Sequence, residues 1–307
     1  MNALGGCAVL TLLLYMLLHN WTLLLLTAGT VSGYLVFVWV VSKRAVDSSW
    51  RRVLSAAWNE PSGPELFGLV RFRTGPAHAF IELHNAGKEE REKLTMTHMM
   101  TKAWAKGLSA GLNVKIAGGF VSPYPTTDVA CLVALDGGKD LAYVTIERCD
   151  EKSLNEIEVE CSKRFKSVRD GEERKSHQKA TAIFALIPSC LGATLMEAAS
   201  WVSIQLGMDI SALSVKKHPF GCGIITNVGK SGVDTVIPPF SPVCRIPALI
   251  AISKPINEAI VVDGHIQAVE CLQGGIAFDL RFLTKDQCVR AVKAFKTAME
   301  NPKEHLA

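Results

Sequence analysis

Hydrophobic and polar positions divide the chain into an uncharged N-terminal run and a longer region where two periodicities alternate. From Ala3 to Val41 no side chain carries a formal charge, and His19-Asn20 make the one interruption of the apolar run. About 20 apolar residues in a helix cross a bilayer core, so Trp21–Val41 reads as a comfortable span and Ala3–Leu18 as a short one. Two arrangements fit: a tight helical hairpin turning at His19-Asn20, or a single crossing by the second segment. A cleaved signal peptide fits poorly, because no Lys or Arg precedes the run and the run is too long. The first basic residues, Lys43, Arg44, Arg51 and Arg52, follow the span. By the positive-inside rule the C-terminal region then lies on the cytoplasmic or organellar-interior side of an integral membrane protein. Residues 1–42 are thus expected to form a membrane anchor of one or two transmembrane helices. Residues 43–63, with the Pro61-Ser62-Gly63-Pro64 break, form a juxtamembrane linker.

Beyond the linker, Glu65–Leu83 alternates and predicts one or two strands. A helix opens at Thr95-Met96-Thr97, with Met99, Met100, Ala103, Trp104 and Leu108 apolar, and stops at Gly111. Strands follow at Asp128–Leu135 and Leu141–Ile146, then an amphipathic helix at Ser153–Arg169. Residues 180–213 form an apolar helical insert broken by Pro188 and Gly192. Leu191, Leu195, Ala198, Val202 and Leu206 recur there at helical spacing and predict a face packed on the domain. The same spacing also suits a helix resting on a membrane surface. Strands are expected at Cys222–Thr226, Val233–Ile237 and Arg245–Ile252. A hairpin turns at Asp263-Gly264, between Ala259–Val262 and Ile266–Leu272. At Gln273–Glu300 a strand with Ile276, Phe278, Leu280 and Phe282 on one face runs into a helix. Its N-cap is Thr284, with Gln287 completing a capping box. Strands and helices without regular βαβ periodicity point to an α+β domain over residues 64–307.

Composition narrows the function classes. The 307 residues carry a mild net charge of +4 and 7% aromatics, without the clustered Lys/Arg and stacking rings of a nucleic-acid footprint. Nine cysteines are scattered with no CxxC pair. That pattern disfavours zinc and a disulfide framework, and places Cys131, Cys244 and Cys271 in the core of a protein from a reducing compartment. No G-x-S-x-G occurs, and Gly229-Lys230-Ser231-Gly232 lacks the earlier glycine of a P-loop. Cys222 reads as a buried strand cysteine rather than a nucleophile, since no sequence neighbour would lower its pKa.

Several stretches, in order, resemble the catalytic domain of the dihydrolipoamide acyltransferases, the E2 subunits of 2-oxoacid dehydrogenase complexes. These share the chloramphenicol-acetyltransferase-like fold. Leu94–Asn113 (LTMTHMMTKAWAKGLSAGLN) is similar to the family helix leading to a Leu-Asn pair, and Lys152–Arg169 to its next helix. Pro219–Gly232 (PFGCGIITNVGKSG) resembles the run F-x-x-(I/V)-(S/T)-N-(L/V)-G-x-x-G. Pro238–Ile252 resembles the "PP…AILAIG" strand, and Gln273–Pro302 the terminal DHRxxDG strand and helix. The likeness covers about 210 residues. It implies a two-layer α+β, CoA-dependent acyltransferase-like domain, a possible homotrimer with sites between subunits, and CoA or acyl-CoA as ligand. Nothing resembles a lipoyl domain, and residues 43–63 leave no room for one. The insert at 180–213 resembles a divergent branch.

In that family an acyl group passes between CoA and a thiol or hydroxyl acceptor. The motif His acts as general base, and a hydroxyl in the "SN" run steadies the oxyanion. Carried over residue by residue, Thr226 and Asn227 keep the oxyanion side, and Asp279 and Arg281 keep the flanks of the motif. Leu280 stands where the His is expected, Thr284 where the Asp is, and Lys285 where the Gly is. Val261-Val262-Asp263-Gly264 spells the tail of the motif without a His, and a hairpin turn explains it. His98 fits a fold position, and His78, His84, His218 and His265 fit surface or capping roles, each with some prospect as a substitute base. Two readings stay open: an acyltransferase with a rearranged base, or a pseudoenzyme that keeps the fold as a binding or assembly module on a membrane.

Overall fold

A computed structural model of the chain describes residues 21–44, 65–89, 93–117, 120–135, 140–171, 173–175, 196–211, 215–239, 244–262 and 264–306. The chain divides into two compact units, Met1–Ala45 and Val46–Ala307. In the first, helix α1 spans Trp21–Arg44. Leu25, Leu26, Val31, Tyr34 and Val36 are exposed on it, and the Thr30 hydroxyl is satisfied within the helix by the Thr27 carbonyl at 2.9 Å. Among the described residues no helix is long and apolar enough to cross a membrane. The side chains described without a break, Leu25–Tyr34, include Thr27, Gly29, Thr30, Ser32 and Gly33, which dilute the apolar run. The expected first segment, Ala3–Leu18, and the linker before Glu65 lie outside the described residues.

The second unit is built on a seven-stranded sheet ordered β1-β9-β7-β6-β4-β5, with β8 paired to β9. The strands are β1 Glu65–Arg73, β4 Val129–Leu135, β5 Asp140–Ile146, β6 Gly223–Asn227, β7 Ala248–Ile252, β8 Ile256–Val262 and β9 His265–Asp279. A separate ribbon joins β2 Val114–Ala117 to β3 Phe120–Pro123. β4, β6 and β7 run parallel, and β9 lies antiparallel to β7 and β1. The helices are α2 Gly75–Asn85, α3 Met96–Ser109, α4 Leu154–Asp170, α5 Lys285–Glu300 and the short α6 Pro302–His305. Side chains alternate between faces along a strand, and paired residues share a face. Val70, Phe72, Ile276, Phe278, Ile250, Ile252, Ile225 and Cys131 therefore turn to one side. There they pack with Met99, Trp104 and Leu108 of α3, Ile157 of α4 and Phe295 of α5 in the main core. Phe295 meets Phe72 and Trp104 edge-on. A second, smaller core of Ala130, Ile224, Ile246 and Leu249 forms on the other face.

Three expectations change. The alternation over Glu65–Leu83 covers one strand and one helix: α2 starts at Thr74-Gly75-Pro76 with proline in its first turn, buries Ala77 and leaves Leu83 67% exposed. Proline supports a first turn because it lacks only an N–H that the helix would leave unbonded. Val233–Ile237 forms no ladder. It is a strap across the helix-free face, tied by Lys254 N to the Val233 carbonyl (3.1 Å) and Gln273 Nε2 to Thr235 Oγ1 (3.0 Å). The Val236 carbonyl rests so close to Gly275 that a Cβ there would stand 1.8 Å from it. Glycine at 275 is thus needed for the crossing, and Pro238-Pro239 end any extension into the sheet. In the insert, described from Met196 onward, the buried residues are Ser200, Ser203 and Ile204, while Ala198, Trp201 and Leu206 face out. A π-helix at Trp201–Gln205 shifts the phase that a regular α-helical repeat would have kept. β8 and β9 pair as the expected hairpin, Val262 opposite His265, with Gly264 at φ +79°; Asp263 lies outside the described residues.

Candidate active site

β9 ends at Asp279, whose amide donates to the Pro247 carbonyl at 2.9 Å. Its carboxylate is 1% exposed and faces Arg281, 6% exposed. The guanidinium donates from Nε to both carboxylate oxygens (3.1 and 3.0 Å) and from Nη2 to Oδ2 (2.7 Å), and Arg281 N donates to Oδ1 at 2.9 Å. Asp279 and Arg281 thus form a buried bidentate pair that sets the turn after β9. Leu280, between them, is half-buried and packs against the main core. Phe282 and Leu283 are buried. Thr284 caps α5: its hydroxyl accepts from Gln287 N, and Thr284 N donates to Gln287 Oε1 at 2.9 Å. Gln287 Nε2 reaches the Gly111 carbonyl at 2.7 Å, fixing α5 to the end of α3. Leu280 offers no group that exchanges a proton, and Thr284 keeps the capping function an Asp would also perform.

Thr226 lies elsewhere. The register pairs it with Ala251 on β7, and Ala251 with Gly275 on β9. Thr226 is therefore level with Gly275 on the helix-free face. Asp279 is four residues further along β9, about 13 Å at roughly 3.3 Å per residue, and two strands across. Leu280 packs to the helix side. Thr226 is half-buried, and among the described residues its hydroxyl makes no hydrogen bond. Asn227 donates from Nδ2 to Thr97 Oγ1 (3.2 Å) and accepts from Gly229 N (2.9 Å), which makes it part of the turn after β6. Within one chain, Asp279, Leu280, Arg281 and Thr284 form one corner, while Thr226 and Asn227 stand at the opposite end of the sheet.

The histidines separate in the same way. His98 is the third residue of α3 and completes its capping box with Thr95, and burial lowers its pKa to about 4. It is a neutral cap at pH 7. His78 lies 3.2 Å from Glu270 and His84 2.9 Å from Lys88 Nζ. His265 is exposed at the start of β9. His218 has φ +47°, although a residue before proline ordinarily takes extended backbone. Its ring stands edge-on to Tyr124, with centroids 5.4 Å apart. Tyr124 bonds to the Asp128 carboxylate, and burial, then that carboxylate's charge, raises its pKa. Asp128 Oδ1 also accepts from Arg148 N at 2.9 Å. Cys222 is buried with its thiol on the Asp128 carbonyl at 3.2 Å, and burial raises its pKa, which disfavours the thiolate. Tyr124, Asp128, Ser200 and Arg245 gave no sequence signal: the left-handed backbone of His218 and Arg245 arises from tertiary contacts. Among the described residues no group of three His, Cys, Asp or Glu could hold a metal ion.

Neither a family model nor a curated protein sequence matches the chain. Solved structures do. A probable dihydrolipoamide acetyltransferase from Listeria monocytogenes matches with a TM-score of 0.55 and 16% identity, over 85% of this chain and 90% of that one. The dihydrolipoamide acetyltransferase of Azotobacter vinelandii, studied for a serine, a histidine and an asparagine in its catalytic mechanism, matches with a TM-score of 0.57 and 17% identity, over 84% and 89%. A truncated catalytic core of the 2-oxoacid dehydrogenase multienzyme complex from Thermoplasma acidophilum matches with a TM-score of 0.54 and 15% identity, over 83% and 97%.

Proposed function

We infer a function from the mixed α/β fold of this chain, which matches that of acyltransferase catalytic domains in 2-oxoacid dehydrogenase complexes. From that premise we propose that the protein is a membrane-attached acyltransferase-fold protein that takes an acyl-CoA thioester as ligand and makes no use of its terminal-strand motif for proton transfer. The observation that carries this reading is Leu280, packed into the main core where the resemblance puts a histidine. Acyl transfer needs a base to take the acceptor's proton as it attacks the thioester carbonyl, and loss of such a base costs about 10²–10⁴ in rate. The oxyanion side fares better. The half-buried Thr226 hydroxyl, without a partner among the described residues, suits the donor that a thioester oxygen would need.

Because Thr226 and Leu280 stand at opposite ends of the sheet, one copy cannot combine them. A homotrimer would join Thr226 of one copy to the motif corner of the next, in line with the resemblance. Membrane attachment is argued from the uncharged run from Ala3 to Val41 and from the apolar side chains Leu25, Leu26, Val31 and Val36 exposed along α1.

A second reading is a catalytically inactive binding or assembly module, which the same Leu280 favours. Titration of acetyl-CoA and of free CoA into the full chain in detergent micelles tests what both share. Saturable binding is expected, and its absence overturns the acyl-CoA assignment. Alkaline extraction of membranes is expected to leave the full chain in the pellet, and release to the supernatant overturns the attachment.

A further inference from the structure

Three of the scattered cysteines meet on the helix side of the sheet. Cys131 on β4, Cys161 on α4 and Cys149, in the turn before α4, are all buried in the main core. They gather around Thr101 of α3. The Thr101 hydroxyl donates to the Thr97 carbonyl at 2.8 Å, which leaves its oxygen to accept from the Cys131 thiol 3.4 Å away. The Cys131 sulfur in turn bonds to the thiol of Cys161. Cys149 directs its own thiol to the Thr101 carbonyl at 3.8 Å. Cys131 and Cys161 are therefore the two sulfurs in direct contact, and Cys149 stands aside.

That contact is unequal. The bond from Cys161 holds the Cys131 thiol below the ordinary cysteine value, while the same bond and burial push Cys161 up. Burial pushes Cys149 up as well. A thiolate is the reactive form of cysteine, so Cys131 is the sulfur suited to attack and Cys161 the neighbour suited to resolve.

We propose that Cys131 and Cys161 are an oxidative modification site, a thiol pair that hydrogen peroxide converts reversibly to a disulfide tying β4 to α4. The Cys131 sulfur attacks one peroxide oxygen and the O–O bond breaks. The departing hydroxide takes up the thiol proton as water, leaving a sulfenic acid. The Cys161 sulfur then bonds to the sulfenic sulfur, whose S–O bond breaks, and the Cys161 proton leaves in a second water. Two thiols and one peroxide thus give one disulfide and two waters, and an external dithiol reverses the link by exchange. Both sulfurs are buried, so the oxidant enters when α4 lifts from the sheet, an opening of part of the fold rather than all of it. Once formed, the link closes a loop in the unfolded chain and reduces its freedom.

The test treats the full chain in detergent with hydrogen peroxide, unfolds it, blocks the remaining thiols with iodoacetamide and maps the peptides without reductant. The expected result is a peptide pair joined through Cys131 and Cys161 and released by dithiothreitol. Heat unfolding of the oxidised chain should come at a higher temperature than that of the reduced chain, and Cys161→Ala should abolish the difference. Equal unfolding temperatures in the wild type would deny that the link ties α4 to β4. Alkylation of both Cys131 and Cys161 after peroxide overturns the pair, as does a link from Cys131 to Cys149. Oxidation of Cys131 beyond the sulfenic acid with no link formed overturns it too. The wild-type map decides this whether or not Cys161→Ala folds.

Discussion

The corner at 279–287 and the Thr226 end of β6 treat their polar groups in opposite ways. At the corner everything is committed: Asp279 to Arg281, Thr284 to Gln287, Gln287 to Gly111, and Leu280 to the core. At Thr226 there is a half-buried hydroxyl without a hydrogen bond among the described residues. Fully satisfied polar groups stabilise a fold, whereas strain and unspent donors are where chemistry can be held. The difference is between a corner whose polar groups all hold the fold and a strand end that keeps a hydroxyl to spare.

That contrast can be broken most severely at Asp279. Asp279→Ala leaves the buried Arg281 charge unpaired, and denaturant unfolding should show a loss of about 3–5 kcal/mol. A loss below about 1 kcal/mol would mean that the pair does not hold the corner. Next comes Gly275→Ala, whose Cβ would collide with the Val236 carbonyl. Overpacking of this kind costs about 1–3 kcal/mol, and the same unfolding measurement would detect a neutral result, which would deny that the strap lies tight on the sheet. At Thr284 the choice of side chain sharpens the comparison. Thr284→Ala should cost about 1 kcal/mol, while Thr284→Asp should leave stability nearly unchanged, because Asp caps a helix as well as Thr does. The smallest effect on stability is expected at Thr226→Val, within about 0.5 kcal/mol. A larger loss would show that the hydroxyl is spent on the fold rather than kept for a ligand.

Local rules made much of the fold readable. The capping box at Thr284, the pairing of β8 with β9 and the strands β4, β5, β6 and β7 follow from short-range pattern and were visible in the residues. What escaped depends on contacts distant in sequence. The second half of Glu65–Leu83 alternates over too few residues to distinguish strand from helix, and Pro76 settles it. Val233–Ile237 has strand composition, but the close approach at Gly275 turns it into a strap. A π-turn rotated the insert away from the face its spacing indicated. Of the candidate site, the resemblance pointed to Leu280 as the place of the expected His. The separation of Thr226 from it was not legible, because strand order and register decide that distance.

Whether the Leu280 corner serves the fold and not the chemistry is read from the unfolding free energy of Leu280→His in the full chain. Leu280 is half-buried against the core, so trading it for a polar ring should cost about 1–2 kcal/mol, below the range for fully buried leucines. Stability equal to or above that of the wild type would contradict the claim, since the position would then accept a base without loss.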